Sequence, residues 1–157
     1  MIKIEHRIGV PSDSKAIWDV LSDLGRWSEW NTVYPEVHGL LRIAQKLTIT
    51  EVFPHAPPTV ITPTIVDWVP NEQILWSVRA PLGMIKRIRY IEIEPLNEED
   101  TSCILSNGEI WDGLIGSQLG ARRRKHLRAG YEQLNNDIVA RLQAVKAGTA
   151  IAEGDRG

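Results

Sequence analysis

The sequence is short of the residues on which several protein classes depend. Its 157 residues include one cysteine, Cys103, which excludes an internal disulfide, and no CxxC or Cys/His cluster indicates zinc. No stretch approaches the ~20 apolar residues of a membrane span, and the first residues lack the apolar core of a secretory signal. Because 18 basic and 20 acidic side chains leave a net charge of -2, no global field attracts nucleic acid. We therefore expect a cytoplasmic protein, monomer or homodimer, with no cofactor, no metal, no nucleic-acid partner and no integral membrane association.

Aromatic residues are also few, and tryptophan is the exception among them. Trp occurs six times, against three Tyr and one Phe. Trp suits cavity walls because it combines a large ring with an N–H that needs a partner. Apolar residues make up 43% and charged residues 24% of the chain, as in a globular domain. We expect one domain over residues 1–146, and a flexible tail over 147–157, where residues are small and polar.

The first part of the chain predicts a strand and two short helices. Alternating isoleucines over 2–8 share one parity, as on one face of a strand. Apolar residues recur at helical spacing over 16–24, and Gly25 ends that helix. A second helical turn follows, with Trp27 and Trp30 on one face.

Six further strands and one long helix follow. Ile, Val, Thr and Trp are enriched in six segments, near 33–38, 46–53, 59–69, 72–79, 84–94 and 102–111. The connections between them are short, and short connections permit only antiparallel hairpins. From about 114 to 146 there is no proline, and apolar residues recur at spacings of three and four. This pattern predicts one amphipathic helix of about 33 residues, near 50 Å long.

The long helix is the element that can cover the predicted sheet. Seven antiparallel strands twist and curl, and their apolar concave face needs a cover. A curved sheet meets a straight helix along a line, so we expect a mostly apolar cavity beside that line, closed at one end by the two short helices. The predicted fold class is therefore α+β, with a curved seven-stranded antiparallel sheet wrapped around one long C-terminal helix and two short helices after the first strand.

Six segments in this order resemble a known family. They are 17–23, 27–31, 74–76, 89–96, 109–114 and 130–135, and the match covers roughly residues 2–145. They resemble the START-like superfamily with the helix-grip fold, also called SRPBCC, and within it the bacterial polyketide cyclase/dehydrase-like group. The resemblance implies a helix-grip ligand-binding domain with a pocket for a hydrophobic molecule such as a lipid, polyketide, hormone or quinone. Some members of the family bind or transfer such molecules, and others are cyclases.

The hairpin between the last two strands allows a register to be predicted. If its loop spans 97–101, Arg89 lies opposite Glu109 and Ile91 opposite Asn107. The residues on this face are mostly apolar, so we expect it to be concave, with both charged side chains inside as neighbours. A register slip of one residue would turn both of them to solvent.

The predicted pair of Arg89 and Glu109 is the first candidate for a polar site. Because burying a guanidinium–carboxylate pair costs desolvation, its presence favours a fixed group that orients a carbonyl or carboxylate of the ligand. An ordinary ion pair at the rim of the sheet is the alternative. In an enzyme, Glu109 would be the general base and Arg89 the oxyanion stabiliser of an aldol-type cyclisation or dehydration. A carboxylate beside a cation is, however, normally a weaker base.

The other candidate ligand contacts are mainly aromatic and amide side chains. The full predicted set is Trp27, Trp30, Asn31, Trp76, Arg89, Ile91, Asn107, Glu109, Trp111, Tyr131 and Asn135. Tyr131 and Asn135 are four residues apart on the buried side of the long helix, so a hydroxyl and an amide can meet the ligand there. A contact from Asn135 to a strand backbone is the alternative.

Residues 122–128 carry five positive charges in seven positions. Such a stretch can contact phosphates, lipid headgroups or an acidic partner. The alternative is a solvated part of the helix whose long aliphatic stems cover neighbouring apolar surface.

These patterns favour binding or carriage of a small hydrophobic molecule with one polar end, such as a lipid or polyketide. A cofactor-free polyketide cyclase or dehydratase, with Glu109 and Arg89 in the roles given above, is the alternative function.

Overall fold

The structure is a computed structural model that describes the backbone of residues 1–154 and the side chains of residues 1–149. Eight strands are described: β1 Ile2–Val10, β2 Glu36–His38, β3 Thr48–Glu51, β4 Thr59–Ile61, β5 Thr64–Val69, β6 Gln73–Arg79, β7 Lys86–Pro95 and β8 Cys103–Asp112. The α-helices are α1 Ser14–Ser22, α2 Trp27–Trp30 and α3 Gly116–Gly154, with short 3-10 turns at Leu24–Arg26 and Pro81–Gly83. The predicted order of a strand, two short helices, further strands and one long helix is confirmed.

The strands form two antiparallel sheets, so the prediction of one seven-stranded sheet was wrong. One sheet has the order β1-β8-β7-β6-β5 and the other β2-β3-β4. The segment predicted as a single strand over 59–69 is divided at Pro63, which has no N–H to donate to a ladder. Next to this break the two sheets meet at an isolated bridge between Lys46 and Thr64, and Leu47 N donates to Pro63 O at 2.9 Å.

The predicted register of the last hairpin is confirmed. Arg89 lies opposite Glu109, and Ile91 lies opposite Asn107. All four residues are buried. Alternate residues of β7 and β8 thus face the interior, as the apolar alternation of the sequence requires.

The long helix α3 packs on β1 and β8 and continues past the predicted end at residue 146. Its buried stripe consists of Leu127, Tyr131, Leu134, Ile138 and Leu142. Side chains beyond this stripe, from 143 to 149, are exposed. Residues 155–157 of the predicted tail lie outside the described residues. None of the helices within residues 1–154 combines the length and the apolar composition that crossing a bilayer requires.

Each short helix is anchored by polar contacts of its first residue. Ser14 at the start of α1 donates from its backbone N and its hydroxyl to the two carboxylate oxygens of Asp100, at 2.9 and 2.5 Å. Trp27 at the start of α2 donates from Nε1 to Leu21 O at 3.0 Å. These contacts fix α1 against the end of the β7–β8 hairpin and α2 against α1.

Candidate functional site

One buried guanidinium joins carboxylates from two other strands. Arg87 on β7 donates from Nε to Glu109 Oε2 at 3.0 Å and from Nη2 to Glu109 Oε1 at 3.3 Å. The same Nη2 donates to Oε1 of Glu51 on β3 at 3.4 Å. The side chains of Arg87, Glu51 and Glu109 are 12%, 6% and 0% exposed. The contact therefore connects the three-stranded sheet to the five-stranded one through charge.

The ion pair predicted between Arg89 and Glu109 does not form. Each arginine of β7 bonds the β8 residue that lies two positions before the one opposite it. Arg87 lies opposite Trp111 but bonds Glu109. Arg89 lies opposite Glu109 but donates to Asn107 Oδ1 at 2.9 Å. Diagonal positions on neighbouring strands are about 7–8 Å apart, which a long side chain spans. The prediction therefore had the correct register but the wrong ionic partner.

Arg89 is satisfied by acceptors within the protein. Its side chain is buried, and its three nitrogens all donate. The acceptors are the Tyr34 hydroxyl at 2.8 Å, Gly108 O at 3.0 Å, Asn107 Oδ1 at 2.9 Å and the Tyr90 carbonyl. Four of the five N–H donors of this guanidinium are thus engaged by groups of the protein itself.

A chain of amides continues from Arg89 to the far edge of the sheet. Asn107 Nδ2 donates to Asn135 Oδ1, and Asn135 Nδ2 donates to the carbonyl of His6 on β1 at 3.2 Å. The same amide nitrogen lies 2.8 Å from His6 Nδ1. Asn135 thus makes the strand-backbone contact that was the alternative to ligand binding.

The tryptophans predicted to line a cavity near the short helices contact one another. The ring centroid of Trp27 lies 6.0 Å from that of Trp30, 6.1 Å from that of Tyr34 and 6.4 Å from that of Trp76. Trp27 and Trp76 are buried, while Trp30 is half-buried on a groove between α1 and α3. This cluster forms the core beneath the short helices.

Two further predicted residues have structural contacts in the same region. Asn31 Oδ1 accepts hydrogen bonds from the backbone N–H groups of Val33 and Tyr34, at 3.1 and 2.7 Å, which shapes the turn after α2. Ile91 is buried at the centre of β7. Both side chains therefore support the core.

An open groove of about 390 Å³ lies between the β3–β4 hairpin and the first turns of α3. Trp111 and Arg87 form its floor, and the Arg87 guanidinium lies 4.6 Å from the centroid of the Trp111 ring. Phe53, Ile61 and Leu127 supply apolar sides. Trp111 is the predicted ligand-binding residue that lines this space.

The mouth of the groove is lined by basic and imidazole side chains. His55, on the connection after β3, and His126 of α3 face each other with ring centroids 5.9 Å apart. Arg123 lies beside them, 5.9 Å from the centroid of the Trp111 ring. The groove thus has an apolar interior and a polar mouth.

Glu51 is the carboxylate that faces the groove, and it is absent from the sequence-based prediction. Burial raises the pKa of Glu51, and the charge of Arg87 only partly offsets this effect. A sequence signal for Glu51 exists, because alternate residues of an extended segment face the same side. Glu51 alternates in this way with Leu47, Ile49 and Phe53, which are all buried. An acidic residue in an inward apolar alternation is a candidate for a paired or functional group.

Arg87 is also absent from the prediction, although it shares parity with Arg89. Burial acts to lower the pKa of Arg87, but the carboxylates of Glu109 and Glu51 outweigh burial and raise it. The guanidinium therefore remains a permanent positive charge at the floor of the groove.

Solved structures of other proteins have this architecture. A START superfamily protein from Mycobacterium smegmatis matches with a TM-score of 0.70 at 16% identity, over 91% of this chain and 98% of that one. The fold is START-like. A protein from Thermus thermophilus matches with a TM-score of 0.69 at 12% identity, over 92% and 99% of the two chains. The predicted resemblance is thereby confirmed at the level of the START-like fold.

A protein from a biosynthetic pathway shares the START-like fold as well. BexL, a di-domain ARO/CYC of the BE-7585A biosynthetic pathway, matches with a TM-score of 0.64 at 12% identity. The match covers 88% of this chain and 46% of BexL, so this chain corresponds to about half of that protein. No protein-family model and no curated protein sequence matches the chain.

Proposed function

We propose that this protein binds or carries a small, largely apolar molecule with one polar end, such as a lipid or polyketide, in the groove between the β3–β4 hairpin and α3. The observation that carries the proposal is the combination of apolar sides with a nearly buried carboxyl, Glu51, in one open groove. The volume of about 390 Å³ lies within the ~300–1,000 Å³ of small-molecule pockets.

The polar end of the ligand is expected at the floor, where Glu51 and Arg87 meet. The carboxyl of Glu51 offers acceptor oxygens and Arg87 offers N–H groups, so a ligand hydroxyl can donate to Glu51 and accept from Arg87, whereas a ligand carbonyl can accept from Arg87. The apolar part then lies against Trp111, Phe53 and Leu127, which line the same space. Such a pocket orients the ligand through two polar contacts and gains affinity from apolar burial.

The test compares two tryptophan substitutions on the same strand. Ile61 lines the groove, whereas its neighbour Val60 is 66% exposed and does not line it. Ile61→Trp should fill the groove and weaken binding of an apolar fluorescent probe, anilinonaphthalene sulfonate, by about tenfold or more, which is about 1.4 kcal/mol. Val60→Trp should leave the affinity unchanged. No probe binding by the parent protein, or equal affinity in both variants, would contradict the proposal. Native mass spectrometry of protein from its own host should in addition show a retained lipid-sized mass.

A cofactor-free cyclase or dehydratase is the second candidate function, and the position of Glu51 favours it. In the predicted version of this mechanism Glu109 is the base and Arg89 the oxyanion stabiliser. Glu109 directs both carboxylate oxygens to Arg87, whereas Glu51 faces the groove, and burial raises the pKa of Glu51, which strengthens it as a base. Glu51→Gln should abolish cyclisation of a β-polyketone and retain probe binding. Full turnover in that variant would remove Glu51 from the mechanism, and Glu109→Gln provides the parallel test of the predicted base.

A further inference from the structure

Four apolar side chains project from two neighbouring turns at one end of the five-stranded sheet. Leu82 and Met84, on the β6–β7 turn, are 94% and 41% exposed, and Leu114 and Ile115, between β8 and α3, are 75% and 41% exposed. Ile115 N donates to Met84 O at 3.1 Å, so the two turns are held together. We call these four residues the apolar tip.

The backbone holds the apolar tip outward. Leu82 adopts a left-handed conformation with φ of 59°, which is unfavourable for a residue with a side chain. Gly113, with φ of 101°, allows the second turn to approach the first, because a Cβ there would lie 2.6 Å from Gly83 O and 2.7 Å from Met84 O. Both turns therefore adopt conformations that place large apolar groups in contact with water.

A basic surface lies on α3 beside the apolar tip. Arg122, Arg124 and Lys125 are exposed, and between residues 113 and 131 there is no acidic residue. Since α3 begins at Gly116, Arg122 lies about 9 Å along its axis from that start. Asp112, at the end of β8, lies 3.7 Å from the N-terminal amine of Met1 and opposite Lys86 in the strand register, so positive charges surround it. Positive charge is thus concentrated at this end of a chain whose net charge is -2.

We propose that the apolar tip and the basic surface of α3 dock this protein onto an anionic lipid bilayer. Protruding apolar side chains flanked by arginine and lysine match the interface of such a bilayer, where apolar groups enter the headgroup–acyl boundary and cations meet lipid phosphates. Arg123 of α3, beside the basic surface, and Trp111, three residues before Leu114, both line the groove described above. Docking is independent of whether the groove binds a ligand.

Vesicle co-sedimentation tests the proposal with two matched variants. The parent protein should bind mixed phosphatidylglycerol/phosphatidylcholine vesicles more tightly than phosphatidylcholine vesicles, and added salt should weaken the binding. Arg122→Gln with Arg124→Gln and Lys125→Gln should reduce the affinity by on the order of a hundredfold, at about fivefold per basic residue. Leu82→Ser with Leu114→Ser should reduce it by about tenfold or more.

The control is a pair of exposed apolar residues elsewhere on the surface. Leu40→Ser with Val60→Ser should bind vesicles as the parent does, because these side chains, 59% and 66% exposed, lie outside the apolar tip. Equal binding to both kinds of vesicle, or tip variants that bind like the parent, would overturn the proposal. Self-association of the parent that the tip variant abolishes would show instead an interface between two copies. Ile61→Trp should dock normally, which separates this result from the groove proposal.

Discussion

Arg87 bonds both oxygens of the Glu109 carboxylate, at 3.0 and 3.3 Å, and the same guanidinium reaches Glu51 on the neighbouring sheet. It also stacks on Trp111, the aromatic floor of the groove. A single side chain thus bridges two buried carboxyl groups and positions the surface against which a ligand would lie. Four expectations about folding stability follow from these contacts and from the packing of the buried tyrosines and of the glycines of α3.

Replacing Arg87 by Met should be strongly destabilising. The substitution leaves Glu51 and Glu109 buried without their cation, which costs about 3–5 kcal/mol for a broken buried pair. Urea unfolding measures the loss. The matched control is Arg7→Met, which removes the exposed pair of Arg7 and Glu94 at 3.3 Å and should cost less than about 1 kcal/mol. Losses of equal size in the two variants would contradict this role of Arg87.

Glu51→Gln should change how stability depends on pH. Because burial raises the folded-state pKa of Glu51 above its ordinary value of 4.5, the unfolded chain releases this proton first as the pH rises. Ionisation of Glu51 therefore lowers the free energy of unfolding of the parent protein as the pH rises from acid to neutral. The glutamine variant lacks this ionisation and keeps that free energy. Urea midpoints should be similar near pH ~4 and higher for the variant near neutrality. A variant that is less stable than the parent at neutral pH would refute this sign.

Two buried tyrosines should respond differently to the loss of their hydroxyls. The Tyr34 hydroxyl accepts from Arg89 Nε at 2.8 Å, whereas the buried hydroxyl of Tyr131 has no partner among the described residues. Tyr34→Phe should cost about 1.5–3 kcal/mol, because it leaves a buried charged donor unpaired. Tyr131→Phe should be neutral or stabilising by up to about 1 kcal/mol. Thermal unfolding distinguishes them, and a comparable loss in both would show that the Tyr131 hydroxyl is hydrogen-bonded in solution.

Gly130 and Gly148 lie on the same helix but should tolerate alanine differently. A Cβ at Gly130 would overlap the ring of Phe53, whereas one at Gly148 meets nothing within 4 Å. We expect Gly130→Ala to cost about 1–3 kcal/mol through overpacking. Gly148→Ala should gain about 0.5–1 kcal/mol from helix propensity. Denaturant midpoints provide the comparison, and a stabilised Gly130→Ala would show that Phe53 can move away.

The sequence predicts the β7–β8 register correctly because short-range constraints decide it. The loop over 97–101 is short, and apolar alternation fixes which face is buried, so Arg89 opposite Glu109 follows directly. The identity of the ion pair does not follow, because it depends on which diagonal neighbour each long side chain reaches. Backbone pairing specifies Cβ positions, whereas the guanidinium lies several bonds farther out.

The groove is less accessible to sequence reasoning than the sheet. Glu51 and His55 approach α3 only because the β2-β3-β4 sheet is separate from the larger one, and that separation depends on Pro63 and the irregular pairing near Lys46. The inward parity of Glu51 can be read from the sequence, but its proximity to Arg87 requires the relative placement of two sheets.

Two pieces of the molecule that share few backbone hydrogen bonds thus face each other across the groove. The gap between them is set by side chains: the Phe53 ring meets Tyr131 edge-on at 5.7 Å, and Arg87 spans the distance to Glu51. A ligand bound as proposed would therefore be accommodated by repacking these side chains, while the pairing within each sheet stays intact.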